Sequence, residues 1–346
     1  MAYATPVMHR TLARRLAPAV VLLAAAVGVT ACSNSSDSQG SGNTDVAAGG
    51  ERFGTADAET AKLGTDAKPG VFPRTVRHAA GVTEIPKKPE RIVVLDTGEL
   101  DSVLSLGLKP VGMVETEGSS SVPTYLADKV QGVERVGKIQ NVNVEAIARL
   151  KPDLILGSKL RVDKLYPQLS AIAPTVFSIR PGFPWKENFR LIGAATGEET
   201  KTVEQLNRYA DNARALSARF TGTKPTISLL RFMPGKMRVY ADKSLIGVIL
   251  QDAGLPRPAG QNVDELAVEI SMENLSKADG DYLFYSSYGK PENTGETAAI
   301  TGPAWSQLGA VQRGKAFRVD DDVWYLGLGP TGASLIVQQL GEFLAK

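Results

Sequence analysis

Histidine and cysteine are nearly absent from this chain, with two histidines and one cysteine in 346 residues. A single cysteine excludes an intramolecular disulfide. His9 lies in an N-terminal apolar stretch, which leaves His78 for any folded part. Histidine is the usual general base and the commonest zinc ligand. Its scarcity argues against a Ser-His-Asp triad and against a multi-histidine metal centre. Carboxylates alone could still work as catalysts, but no acid–base pair can be placed, and no enzymatic role or resident cofactor is expected. An excess of one charge is missing too: 39 Lys and Arg face 37 Asp and Glu. Such a balance gives no field for binding nucleic acid. No uncharged apolar run reaches the ~20 residues that a membrane-spanning helix needs.

The longest apolar run is instead a targeting signature. Arg10, Arg14 and Arg15 precede LAPAVVLLAAAVGV at residues 16–29, which has the length and flanks of a secretory segment. Val29-Thr30-Ala31-Cys32 follows and resembles the bacterial lipobox, where cleavage exposes a cysteine that takes a diacylglycerol thioether. Residues 1–31 are therefore expected to be a lipoprotein signal peptide, with Cys32 the lipidated residue and acyl chains the membrane anchor. The paired arginines leave the export route, general or twin-arginine, open. Cleavage there removes three basic residues and no acidic one, leaving 36 against 37.

Residues 32–70 are rich in Ser, Gly, Asn, Asp, Thr and Ala, and they read as a flexible tether that reaches roughly 30–35 Å. Folding is expected from Val71. Residues 74–85 form two short strands around Ala80-Gly81. Then RIVVLD (91–96), DLILG (153–157) and TVFSI (175–179) read as buried strands between helical patterns. Such β-α-β alternation predicts a mostly parallel sheet covered by helices. Residues 198–223 carry a helix without proline or glycine over 198–220, in which Val203, Leu206, Ala210, Ala213 and Leu216 keep three-four spacing. Alternation restarts after Lys224-Pro225 with TISLLRF. The expected organisation is an N-terminal α/β lobe at 71–197, a connecting helix at 198–223 and a C-terminal α/β lobe at 224–346.

The halves echo one another. NVEAIARLKPDLILGS (143–158) and SMENLSKADGDYLFYS (271–286) each open on an N-cap residue, Asn143 or Ser271. Each places a glutamate two positions later, Glu145 or Glu273, and an aspartate eight positions beyond it, Asp153 or Asp281. A first-turn glutamate can serve the helix dipole alone. The matched placement in both halves suggests more.

These blocks, with PERIVVL (89–95), the stretch 269–283 and the Trp305 and Trp324-Tyr325 regions, resemble the binding proteins that serve iron-siderophore, haem and cobalamin ABC importers. The resemblance spans about Phe72 to Lys346. It implies an α/β fold of two doubly wound Rossmann-like lobes joined by one long helix, the class III periplasmic-binding-protein fold, with little lobe motion. It also implies that Glu145 and Glu273 dock on arginines of the permease dimer, and that the ligand is a ferric siderophore carrying its own iron ligands. A monomer is expected.

A bulky anionic chelate calls for cations and aromatic walls, and in an open α/β sheet it sits beyond the carboxyl ends of the strands. That rule selects Lys159, Arg161, Arg180, Trp185, Arg231, Tyr240, Tyr285, Tyr288, Trp324 and Tyr325. Arg231 is the strongest candidate, since LLRFMPGKMRVYAD resembles the family's second-lobe RxxxG…RxY pattern. Asp320-Asp321-Asp322 reads as a solvated turn. Haem, cobalamin, or a cell-surface role without transport are the alternatives.

Overall fold

The computed structural model describes residues 53–116 and 120–345; Cys32, the signal peptide and most of the expected tether lie outside them. Packing begins before Val71. Helix α1 (Ala56–Thr60) follows a short turn at Phe53–Thr55, and Ala56 is fully buried. The later part of the stretch expected to be a tether is thus part of the fold, because Phe53, Ala56 and Leu63 find an apolar seat on Ile179 and Phe183.

Strands β1 (Arg74–His78) and β2 (Gly81–Ile85) form an antiparallel hairpin. The next six strands form one sheet: β3 (Ile92–Val94), β4 (Gly112–Glu115), β5 (Glu134–Lys138), β6 (Asn141–Val142), β7 (Leu154–Ser158) and β8 (Thr175–Ser178), in the order β6-β5-β4-β3-β7-β8. All pairs are parallel except β5-β6. The continuous apolar runs fit, since β3, β7 and β8 are buried at every position.

Two helices carry the chain to the second lobe, α4 (Trp185–Thr196) and α5 (Glu199–Ser217), after α2 (Thr97–Ser105) and α3 (Val144–Arg149) in the first. Helix α5 spans about 28 Å at 1.5 Å per residue. It buries Thr202, Leu206, Tyr209, Ala213 and Leu216. Val203, expected on that face, is 52% exposed. The face is turned by one residue because Tyr209 sends its hydroxyl to Asp252 (2.8 Å) and Thr202 packs on Gly193, where a Cβ would lie 2.3 Å from the Thr202 hydroxyl.

The second sheet runs β11-β10-β9-β12-β13, with β9 (Ile227–Met233), β10 (Lys236–Tyr240), β11 (Ala267–Ile270), β12 (Tyr282–Ser287) and β13 (Ala316–Arg318). Its β9-β12-β13 half is parallel, and β9-β10-β11 is an antiparallel meander. Helices α6 (Leu245–Asp252) and α7 (Pro330–Phe343) cover it. The expected Ser271–Ala278 helix is a 3₁₀ segment at Met272–Ala278, interrupted at Asn274, and the Ser271 side chain caps nothing, whereas Asn143 accepts from the Ala146 N–H at 2.9 Å. The echo is better kept by the aspartates. Asp153 accepts the backbone N–H groups of Glu90 and Arg91 just before β3, and Asp281 accepts that of Thr226 just before β9.

One apolar core runs through both lobes, joining Val94 and Leu156 to Phe189 and Leu206, and these to Leu229, Phe284 and Ile336. Direct hydrogen bonds tie the lobes as well. The Asp101 carboxylate on α2 accepts the N–H groups of Thr331 (3.0 Å) and Gly332 (2.9 Å) at the start of α7. Tyr125 donates to the same carboxylate, and the Thr124 N–H donates to Asp322 at 3.1 Å.

Candidate ligand cleft

A cleft opens between the two sheets. Its first wall comes from the carboxyl ends of the parallel strands: Asp96 and Thr97 after β3, Thr116 after β4, Ile139 and Gln140 after β5, Arg161 after β7, and Arg180 to Gly182 after β8. The facing wall holds Tyr240 at the end of β10, Ser244 to Ile246 at the start of α6, Leu266, Tyr288 after β12, and Trp324 to Leu326 with Leu328 beyond β13. The parallel strand ends of the first lobe converge there because each crossover returns the chain to the opposite edge of the sheet before the next strand begins.

The electrostatics divide by wall. Asp96 caps α2 through the Thr97 N–H at 2.7 Å and also accepts from Arg161 Nε at 3.0 Å. Arg180 has almost no exposed surface, and burial first, then the neighbouring Arg161 charge, bring its pKa down to about 10. It therefore stays charged at neutral pH, beside a like charge, in a cleft edge of low dielectric. Behind this wall lies Glu99, whose carboxyl is pushed up to about 8 by burial and then by Asp96. Ser178 donates to one Glu99 oxygen, and the other has no partner.

Arg231 is placed differently from the expectation. It is 1% exposed and does not line the cleft. Its Nε donates to Asp321 at 2.7 Å, Nη2 closes a second bond to the same carboxylate, and Nη1 donates to the Tyr240 hydroxyl at 3.2 Å. The Tyr288 and Tyr325 rings lie on its guanidinium, at 4.6 and 5.3 Å. Arg231 thus stands behind the aromatic wall and positions it. Arg238, opposite Arg231 in the β-ladder, is equally buried and binds Glu269. Of the acidic turn only Asp320 is solvated: Asp321 and Asp322 are buried, one on Arg231 and the other on Thr124 across the lobe boundary.

Of the other expected ligand residues, Arg161, Tyr240, Tyr288 and Tyr325 meet in the cleft, whereas Trp324 borders it with its ring fully buried in the core against Phe284. Trp185 does not. It is core, edge-on to Tyr209 at 4.8 Å, because α4 turns its first residue inward. Lys159 is half-buried off the cleft lining, since the short helix after β7 turns Arg161 rather than Lys159 toward it. Asp96 and Ser244 were missed by sequence reasoning, although Asp96 ends the RIVVLD strand and satisfies the strand-end rule. Among the described residues, no group of three or more His, Cys, Asp or Glu could hold a metal ion. Glu145 and Glu273 are exposed at matching places in the two lobes, and neither makes an ion pair among the described residues.

Two α/β lobes, joined by a helical crossover around a cleft of arginine and aromatic side chains, define an extracytoplasmic-type solute-binding protein. Residues 92–323 match the family described as periplasmic binding protein, and the chain belongs to that family. It is 37% identical to the probable siderophore-binding lipoprotein YfiY of Bacillus subtilis, over 79% of this chain and 88% of that one. The Fe(3+)-citrate-binding protein YfmC of the same organism is 28% identical over 88% of this chain and 89% of its own. Among solved structures, Staphylococcus aureus SirA complexed with staphyloferrin B superposes with a TM-score of 0.71 at 31% identity, covering 78% of this chain and 98% of that one. No helix among the described residues is long and apolar enough to cross a membrane.

Proposed function

We propose that this chain captures a ferric siderophore in the cleft between its lobes and delivers it to an ABC importer. The observation that carries the reading is the cleft's own chemistry: two neighbouring guanidiniums, Arg161 and Arg180, face a wall of Tyr240, Tyr288 and Tyr325. Arginines bind carboxylate, catecholate or hydroxamate oxygens through charge-assisted bonds. The aromatic faces suit the apolar frame of the chelate. In this reading the siderophore fills the iron's coordination sphere and the protein supplies no metal ligand. The siderophore names carried by similar proteins support the same ligand class.

Delivery rests on Glu145 and Glu273. One exposed carboxylate on each lobe can fix the orientation of docking on permease arginines and speed encounter. Cys32, lipidated, would hold the protein as a monomer at the outer face of the membrane, as the lipoprotein name of a similar protein supports.

A thermal-shift screen tests the ligand class. The panel is ferric citrate, ferric staphyloferrin B, a ferric hydroxamate, haem and cobalamin. A bound ligand at a hundred times its Kd stabilises by about 2.7 kcal/mol. The melting temperature should rise with at least one ferric siderophore and stay put with haem and cobalamin. A rise with haem or cobalamin alone, or with none of the panel, overturns the assignment.

A further inference from the structure

We infer that Asp96 is a specificity-determining residue of the cleft, selecting against ferric complexes that carry several negative charges. This rests on the siderophore-capture reading and concerns which members of that ligand class the site accepts. Asp96 is the one acidic side chain among the described residues that line the cleft. It stands at the carboxyl end of β3, which is flanked by β4 and β7, so it belongs to the middle of the first wall and not to its rim.

The helix cap alone does not account for a charge at this place. Asp96 accepts the Thr97 N–H at 2.7 Å to open α2, and asparagine or serine caps a helix about as well. What a carboxylate adds is a full negative charge. One oxygen serves the cap, and the other accepts from Arg161 Nε at 3.0 Å. The pair is asymmetric toward the cleft: the Asp96 side chain is fully buried and that of Arg161 is 15% exposed. A ligand therefore meets the guanidinium first, with the carboxylate behind it. Burial does not silence that carboxylate. Less water lies between it and the ligand, so its repulsion of an anion is weakly screened.

The neighbouring residues already obey a limit on negative charge. Glu99 stands one turn further along α2, and burial first, then the Asp96 charge, push its carboxyl up to about 8. It is mostly protonated at neutral pH. A second negative charge beside Asp96 is thus costly within the protein itself, and an anionic ligand meets the same repulsion. The facing wall, with Tyr240, Ser244, Tyr288 and Tyr325, contributes no charged side chain to the lining. Selection by charge therefore falls to the first wall, where arginine attracts an anion and Asp96 limits how much negative charge is held. The ligand class spans the relevant range. Three hydroxamates, each with one negative charge, neutralise ferric iron, whereas ferric citrate and ferric staphyloferrin B are anions.

The test is a tryptophan-quenching titration at pH 7 and about 0.15 M salt, where charges beyond ~8 Å are largely screened at the surface. It is run on the full mature chain, on Asp96→Asn and on Asp163→Asn. Asp96→Asn keeps a capping side chain and removes the charge. Asp163→Asn removes one charge from an exposed residue outside the cleft lining. Asp96→Asn should bind ferric citrate and ferric staphyloferrin B roughly tenfold more tightly than the parent, with a steeper loss of affinity as salt rises. An uncharged ferric trihydroxamate should change by less than about twofold, and Asp163→Asn should bind like the parent. Unchanged or weaker binding of the anions in Asp96→Asn overturns the inference. An equal gain for the trihydroxamate, or the same gain in Asp163→Asn, does so too, by showing that the effect is not Asp96's charge acting in the cleft. If neither the parent nor the variants bind any of the three complexes, the capture reading for these ligands falls first, and the role of Asp96 falls with it.

Discussion

Arg231 shows how a side chain can be correctly singled out and wrongly employed. Its position at the end of β9 was legible, because a strand-end arginine in an apolar run is conspicuous. Its partner was not, since Asp321 stands ninety positions later and nothing local announces the pair. Removing one member of a buried ion pair strands the other charge and costs about 3–5 kcal/mol. Arg231→Ala should therefore lower stability by about that amount in urea denaturation, rather than leave the fold intact and weaken capture alone; an unchanged midpoint would count against the buried pair. His78 offers a pH test at the same scale. Its Nδ1 accepts from the backbone N–H groups of Ala80 and Phe177, and burial pushes its pKa from 6.5 down to about 4. The unfolded chain then binds the extra proton between those values, so this residue makes stability fall as pH drops from about 6.5 to about 4. Glu99 acts in the opposite sense, because its raised pKa makes stability fall as pH rises toward about 8. The His78 share is isolated by difference: melting curves of His78→Gln should lose stability less steeply than the parent over that acid window. Parallel curves would remove the histidine from the account.

Elements were more legible than contacts. Buried strands declare themselves by short apolar runs, and β3, β7, β8, β9 and β12 all follow that pattern. The antiparallel meander of the second lobe had a signal that went unused. Only Pro234 and Gly235 separate β9 from β10, and a two-residue link cannot make a parallel crossover. What a sequence pattern cannot supply is a cap from another lobe. Asp101 sits on the buried face of α2 and looks there like a misplaced charge, until α7 arrives with two N–H groups to receive it. Burial raises its pKa while those donors oppose the rise. Asp101→Ala leaves both N–H groups and the Tyr125 hydroxyl without their acceptor, at a cost of roughly 2–4 kcal/mol. Calorimetry should show that loss as a lower melting temperature. A change within error would mean that the lobes do not depend on this tie.

For the whole molecule, the two-lobe plan followed from β-α alternation, one long helix and the internal echo. The cleft's composition followed only in part, because which arginine faces inward depends on how each strand end turns. The shared core and the Asp101 and Thr124 bridges give the lobes one body, so ligand capture needs no large closure. Transport then depends on the outer surface. Glu145→Ala combined with Glu273→Ala should abolish uptake of radiolabelled iron while the purified variant keeps the parent's affinity for the ferric complex; weakened affinity in that variant would contradict a docking role. Capture itself is tested most directly by titrating one ferric siderophore into the parent and into the Arg161→Gln, Arg180→Gln double variant. Two lost charge-assisted sites should weaken Kd by about a hundredfold or more, with both proteins folded. An unchanged Kd would place the ligand somewhere other than this cleft.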